Sequence, residues 1–239
     1  MSATTPMPVI KFLAFLVTIC QTMDIELARF NMIEQQIRPW EVLDPALLAL
    51  LKKLPRELFV PPKDRDLAFA DLNLPIGHGE CMMQPKVEAR LTQALALTST
   101  DRVLEVGTGT GYLTALLASC CAHVTSVDIY GDFLRPAATR LENLGIVNAT
   151  FEEGDAAEDW TEDDAWDAII LTGSVPVPPR AHRNRLAPGG RLVAIVGQSP
   201  VMEAMLYSRG DNEESTEHSI FDTSLPPLIN VRTPSAFTF

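Results

Sequence analysis

The sequence predicts an α/β protein: a doubly wound, mostly parallel sheet, a helical region before it and an antiparallel edge after it. From Arg102 onward short apolar strands alternate with helices, the pattern of a parallel sheet covered on both faces. Between the first strand and its helix lies a glycine-rich turn, Glu105-Val106-Gly107-Thr108-Gly109-Thr110-Gly111. The chain has 239 residues, 46% hydrophobic and 21% charged, enough for one well-buried core.

Before the sheet, apolar residues at Ile25, Ala28, Met32, Ile33 and Ile37 recur with a helical period over residues 24–38. Asp44-Pro45 reads as an N-cap with proline at the first helical position, opening Leu47-Leu48-Ala49-Leu50-Leu51. The glycine and proline spacing of Leu74-Pro75-Ile76-Gly77-His78-Gly79 predicts a loop, and Pro85 opens a helix whose Val87, Leu91, Ala94 and Leu95 share a face. Strands are expected at 102–106, 123–129, 148–153, 166–172 and 191–196, with helices at 112–121, up to 144 and around 179–186. After Gly197 two or three strands flank the polar turn Gly210-Asp211-Asn212-Glu213-Glu214.

Acids outnumber bases 31 to 19, for a net charge of −12, and no basic patch stands out, which argues against nucleic acid as a partner. Cys20, Cys81, Cys120 and Cys121 lack zinc-site spacing and read as free thiols in a reducing cytoplasm. Residues 12–20 are almost wholly apolar behind a single Lys11. That run is shorter than the about 20 residues needed to span a bilayer, and it lacks the flanks of a signal peptide. Residues 1–22 are therefore expected to be a leader outside the fold. Met23 then opens a single domain, 23–239: a helical region with a loop (23–98), the core (99–197) and C-terminal strands (198–239). A cytoplasmic monomer with no membrane association is expected.

The strand–turn–helix at 105–111 is a nucleotide-binding design, because glycines let the backbone approach a ligand and the helix N-terminus offers free N–H groups. A dinucleotide fingerprint would need glycine at position 112, which is Tyr112. The Gly107, Gly109, Gly111 spacing instead suits a Rossmann-like cradle for an amino-acid and ribose moiety without pyrophosphate. Asp128 ends the second strand, where a carboxylate can accept ribose hydroxyls, and Asp155 follows the third, where it could receive an adenine amino group. Thr172-Gly173-Ser174, at the end of the fourth strand, is placed to line an acceptor pocket. His78 is read as a structural hydrogen-bonding residue, Trp40, Trp160 and Trp166 as packing residues, and Asp211, Glu213, Glu214 and Glu217 as a solvated turn.

The chain resembles the protein-L-isoaspartate O-methyltransferases, class I S-adenosylmethionine-dependent enzymes, from about Phe30 to about Val196 with a looser tail. The resemblance rests on Met32-Ile33-Glu34-Gln35-Gln36-Ile37-Arg38-Pro39, Pro55-Arg56-Glu57-Leu58-Phe59-Val60-Pro61, Leu74-Pro75-Ile76-Gly77-His78-Gly79, the glycine turn and Leu186-Ala187-Pro188-Gly189-Gly190-Arg191-Leu192. It implies methyl transfer from S-adenosylmethionine, leaving S-adenosylhomocysteine, to the α-carboxylate of isoaspartyl residues in damaged proteins, without a metal. The ester then collapses to a succinimide that reopens partly to aspartate. Cofactor contacts are expected from Glu105, Gly107, Thr108, Gly109, Gly111, Tyr112, Asp128, Ile129, Gly154, Asp155 and Ala156. Substrate contacts are expected from Gly79, Glu80, Cys81, Met82, Met83, Thr172, Gly173 and Ser174.

The family's loop usually reads Gln-Thr-Ile-Ser, its serine orienting the substrate carboxylate. Here it reads Glu80-Cys81-Met82-Met83, with Met83 at the serine position, and a thioether donates no hydrogen bond. Two alternatives stay open: a methyltransferase of another carboxylate or small molecule, or a cofactor-binding protein whose catalytic loop has decayed.

Overall fold

The computed structural model describes residues 23–160, 165–210 and 214–232. The 1–22 leader, with Cys20, and Asp211 and Glu213 of the acidic turn lie outside the described residues.

The helical region begins with α1 (Ile25–Met32), capped by the Asp24 carboxylate on the Leu27 N–H. The helical path continues as a π turn over Ile33–Ile37 and a 3-10 turn over Arg38–Trp40. Helix α2 (Pro45–Lys53) starts where the sequence predicts: Asp44 accepts from the Ala46 and Leu47 N–H groups and Pro45 occupies the first turn. Residues 74–82, expected as a loop, form a hairpin, β1 (Leu74–Gly77) with β2 (Glu80–Met82), its register shifted between Pro75 and Gly77. Helix α3 (Pro85–Leu95) follows.

The main sheet contains β3 (Arg102–Val106), β4 (His123–Asp128), β5 (Ala149–Glu153), β6 (Trp166–Val175), β7 (Leu186–Gln198), β8 (Val201–Arg209) and β9 (Ser215–Thr223). Its order is β5-β4-β3-β6-β7-β8-β9. The first five strands are parallel, and β8 and β9 add the expected antiparallel edge. Helices α4 (Tyr112–Ala118), α5 (Gly131–Asn143) and α6 (Arg180–Asn184) complete the alternation. β3 is followed by β4 on one side, while β6 lies on its other side. That reversal of direction opens a crevice at the carboxyl ends of the central strands.

Strands β3, β4 and β6 are buried on both faces, which explains their near-continuous apolar reading. Helix α4 stops three residues before the expected end. The Asn148 amide reaches across from the start of β5 and donates to the Ala118 and Cys121 carbonyls, 2.8 and 3.1 Å away, satisfying the helix end. Strand β7 starts earlier than its apolar run because Leu186 already pairs with Trp166 before a register shift.

Arg191 of β7 fixes the helical region to the sheet. Its guanidinium donates to the Leu95 and Ala96 carbonyls that end α3, at 2.8 and 3.0 Å, and to Asp101 at 2.6 Å. Trp166 is fully buried, and Trp40 packs edge-on to Phe221 of β9, so these act as packing residues. Among the described residues no helix is long and apolar enough to cross a membrane.

Gly111 shows how tightly α4 and α5 dock. It has φ +83°, and a Cβ there would sit 2.7 Å from the Ala137 Cβ of α5. Gly111→Ala combines left-handed strain with a steric clash, so it should lower stability by about 1–3 kcal/mol. The expected result is a lower urea midpoint at unchanged slope; an unchanged midpoint would contradict this packing.

Candidate functional site

The crevice becomes a cleft whose floor is the turn between β3 and α4. Asp128, at the end of β4, organises that floor. One carboxylate oxygen accepts from the Gly109 N–H and the other from the Tyr130 N–H, each at 2.9 Å. Asp128 still faces the cleft, and each oxygen keeps a lone pair for a ligand. Gly109, at φ +50°, lies under the hairpin: a Cβ would come within 3.1 Å of Ile76. The turn therefore presents bare backbone to anything between it and the hairpin.

Four expected contact residues have their side chains engaged within the protein. Glu105 does not line the cleft; it is fully buried, accepting hydrogen bonds from Thr114 and Ser126. Burial pushes its carboxyl up to about 8, against those two hydrogen bonds, with Asp128 and Glu88 adding to the rise. Thr172 lines the cleft, but its hydroxyl donates to the Val106 and Gly107 carbonyls, both at 2.9 Å. Ser174 turns away, donating through Oγ to the Leu225 carbonyl at 3.0 Å. Thr108 bonds Ser126 through its hydroxyl at 2.6 Å, so its backbone is what remains for a ligand.

Beyond Asp128 the cleft continues into an apolar groove formed by Val106, Ile129, Gly154, Ala156 and Leu228, with Asp155 at its edge. Asp155 accepts from the Ala157 N–H at 3.1 Å and from the Asn230 amide at 2.8 Å. The roof of this groove is residues 225–229, which sequence reasoning missed. Ser174 holds that segment through the Pro226 carbonyl and the Leu228 N–H as well as Leu225. The only local signal was the Leu225-Pro226-Pro227-Leu228 run after the last strand, which gives no hint of its long-range partner.

The opposite end is walled by the hairpin and α3. Cys81 is half-buried, and Met82 and Met83 are buried. Behind them Arg56 is fully buried: Nε donates to the Ala68 carbonyl at 2.9 Å, Nη2 to the Met83 carbonyl at 2.6 Å, and Nη1 pairs with Glu88. The guanidinium also lies 4.6 Å from the centre of the Tyr112 ring. This explains the Pro55-Arg56-Glu57 motif as the support of the 80–83 segment. Glu88, another residue the sequence reading passed over, lines the cleft; burial pushes its carboxyl up to about 7 even beside Arg56. Glu80 is raised too, by burial and then by Asp128.

His78, expected to bond the backbone, instead bonds a side chain. Its Nε2 lies 2.9 Å from the Asp132 carboxylate, and its ring stacks on Tyr130 at 4.1 Å. The hairpin tip is thus tied to the segment that follows Asp128. Among the described residues no group of three or more histidine, cysteine or acidic side chains is placed to hold a metal.

The charged side chains that line the cleft, Glu80, Glu88 and Asp128, are acidic. A bare glycine cradle, a carboxylate at the end of β4 and an apolar groove beyond it fit a nucleoside joined to an amino acid. The fold and cleft place the protein in the nucleoside-binding class of doubly wound α/β proteins that includes the methyltransferases. The model of the protein-L-isoaspartate(D-aspartate) O-methyltransferase family matches residues 28–230, and the chain belongs to that family. The match takes in the roof at 225–229, beyond the stretch that carries the motifs.

Protein-L-isoaspartate O-methyltransferase 2 of Pelobacter propionicus is 40% identical over 189 residues, 79% of this chain and 84% of that one. Protein-L-isoaspartate O-methyltransferase 1 of Anaeromyxobacter sp. strain Fw109-5 is 44% identical over 165 residues, 69% and 78% of the two chains. A solved protein-L-isoaspartate O-methyltransferase shares the fold with a TM-score of 0.66 at 23% identity. The match covers 84% of this chain and 65% of that one.

Glu105 makes stability depend on pH. Its carboxyl titrates well above the unfolded value of 4.5, so the folded state holds a proton that the unfolded chain has lost. Stability should therefore fall as pH rises from about 5 to about 8, with Glu88 contributing in the same direction. Glu105→Gln should flatten part of that slope, gaining on the parent at pH 8 more than at pH 5 in thermal melts. Parallel curves for the two proteins would refute the buried, protonated state.

Proposed function

We propose that the protein transfers a methyl group from S-adenosylmethionine to the free α-carboxylate of isoaspartyl residues in damaged proteins. The observation that carries this reading is an acid-lined glycine cradle in a chain 40–44% identical to relatives named for that reaction. When bound, the cofactor supplies an electrophilic methyl group on a sulfonium. Asp128 accepts the ribose hydroxyls, the backbone at Gly109 follows the ligand, and the groove at Ile129 and Leu228 takes the adenine. Asp155, at the groove edge, is shared with Asn230.

The acceptor is a carboxylate, already ionised near neutral pH with an ordinary pKa of about 4, so no general base is needed. What the chain must provide is alignment and exclusion of water. Buried Met82 and Met83 supply an apolar wall that strips hydration from the attacking oxygen. With a thioether at position 83, orientation falls to backbone N–H groups of the 80–83 segment, held in place by Arg56 on the Met83 carbonyl. A second reading, methylation of a different carboxylate or of a small molecule, is favoured by the same Met83 and by Glu80, whose charge repels an anionic acceptor.

Labelled methyl transfer to an isoaspartyl peptide, beside its aspartyl isomer, tests the proposal; low but isomer-selective incorporation is the expected result. Met83→Ser restores a donor and should raise kcat/KM on the isoaspartyl peptide by about tenfold to a hundredfold, the worth of a hydrogen bond to an anion. No transfer by either protein would rule out isoaspartyl repair. Asp128→Ala should weaken S-adenosylhomocysteine binding by about 1.5–3 kcal/mol in calorimetry, and unchanged affinity would remove Asp128 from the cofactor site.

A further inference from the structure

The cofactor of the proposed function ends in an amino acid, with an ammonium and a carboxylate, and the cleft has one end suited to it. Ile129 and Leu228 lie toward the apolar groove, Asp128 and Gly109 at the middle, and Cys81, Met83, Glu88 and Tyr112 at the far end. At that far end Glu88 is the buried charged side chain lining the cleft, with 2% of its surface exposed. Its Oε2 pairs with Arg56, while its Oε1 makes no hydrogen bond among the described residues. We propose that Glu88 is a cofactor-binding residue whose carboxylate receives the α-ammonium group of the methionyl moiety.

The hydrogen bonding around Glu88 supports this assignment. The groups facing it are the Arg56 guanidinium, the Tyr112 hydroxyl, the Cys81 thiol and the carboxyl of Glu105. Two of the three hydrogen-bonding nitrogens of Arg56 are engaged by the Ala68 and Met83 carbonyls and the third by Glu88 Oε2, so Arg56 leaves Oε1 without a donor. A donor for Oε1 is what this end lacks. Glu105 cannot receive the ammonium, because it is enclosed behind the floor. Glu80 stands nearer the middle, where it feels Asp128. A purely structural Arg56–Glu88 pair would be a weak reason for a buried carboxylate on a cleft wall, since such pairs add little stability over apolar packing.

The inference rests on the cofactor assignment, and one calorimetric comparison tests the two separately. The full-length protein and Glu88→Gln are each titrated with S-adenosylhomocysteine and with its desamino analogue, which keeps the carboxylate and carries hydrogen in place of the ammonium. The parent should bind S-adenosylhomocysteine about tenfold to a hundredfold tighter than the analogue, the range for a hydrogen bond to a charged group. Glu88→Gln should bind both alike, at the parent's affinity for the analogue. A residue that only supported the fold would change both affinities together. Should the variant fail to fold, the parent alone decides the matter. An ammonium against Glu88 favours its charged form, so S-adenosylhomocysteine binding near pH 7 should release protons to the buffer and analogue binding should not. A parent that binds both ligands alike without proton release, or a folded Glu88→Gln that keeps the full preference, overturns the role of Glu88. Binding of neither ligand would overturn the cofactor assignment, and this inference with it.

Discussion

A buried guanidinium, that of Arg56, joins the parts of this protein that must act together. It bonds a carbonyl at Ala68, a carbonyl at Met83 and the carboxylate of Glu88, and it lies over the ring of Tyr112. Through these contacts the connector before the hairpin, the cleft wall, α3 and the start of α4 share one anchor. A fully buried cation is tolerated only with a charged partner and satisfied donors. The 80–83 segment is therefore tied to Arg56 through the Met83 carbonyl, a backbone contact open to any side chain at that position. This is how the wall can carry Cys81, Met82 and Met83 and still hold its backbone in place.

On the other side of the cleft Asp128 plays a matching part. Its two oxygens draw the Gly109 and Tyr130 amides together, so the glycine turn and the segment after β4 are set before any ligand arrives. His78 then ties the hairpin to that same segment through Asp132 and Tyr130. Floor, hairpin and groove are thus one mechanical unit. The acidic character of the site follows from this construction, for Asp128 lies within electrostatic reach of Glu80 and Glu105, and Glu105 within reach of Glu88. A ligand that brings positive charge is the natural complement.

Much of the fold was legible because its determinants are local. The β3 run 102–106, the Asp44-Pro45 cap, the proline at the start of α3 and the antiparallel edge all rest on periodicity, capping or turn chemistry read within a few residues. The hairpin at 74–82 was not, because its pairing is short and its proline and glycine content reads as loop. The end of α4 was not either, because it is set by Asn148, 30 residues away from the carbonyl it caps.

The site divides along the same line. By itself the sequence determined the α/β class, the glycine turn, and Asp128 at the strand end where a nucleoside would meet it, because each follows from spacing along one strand–turn–helix unit. Only the tertiary structure decided which of the expected contacts reach the cleft. Glu105 and Ser174 carry the right chemistry in the right motifs, yet one is sealed behind the floor and the other holds the 225–229 roof. Glu88 carries no motif and sits mid-helix, but packing of α3 against Arg56 brings its carboxylate to the cleft wall. Burial and charge balance are properties of what surrounds a residue in space, and that surrounding is assembled from segments far apart in the chain.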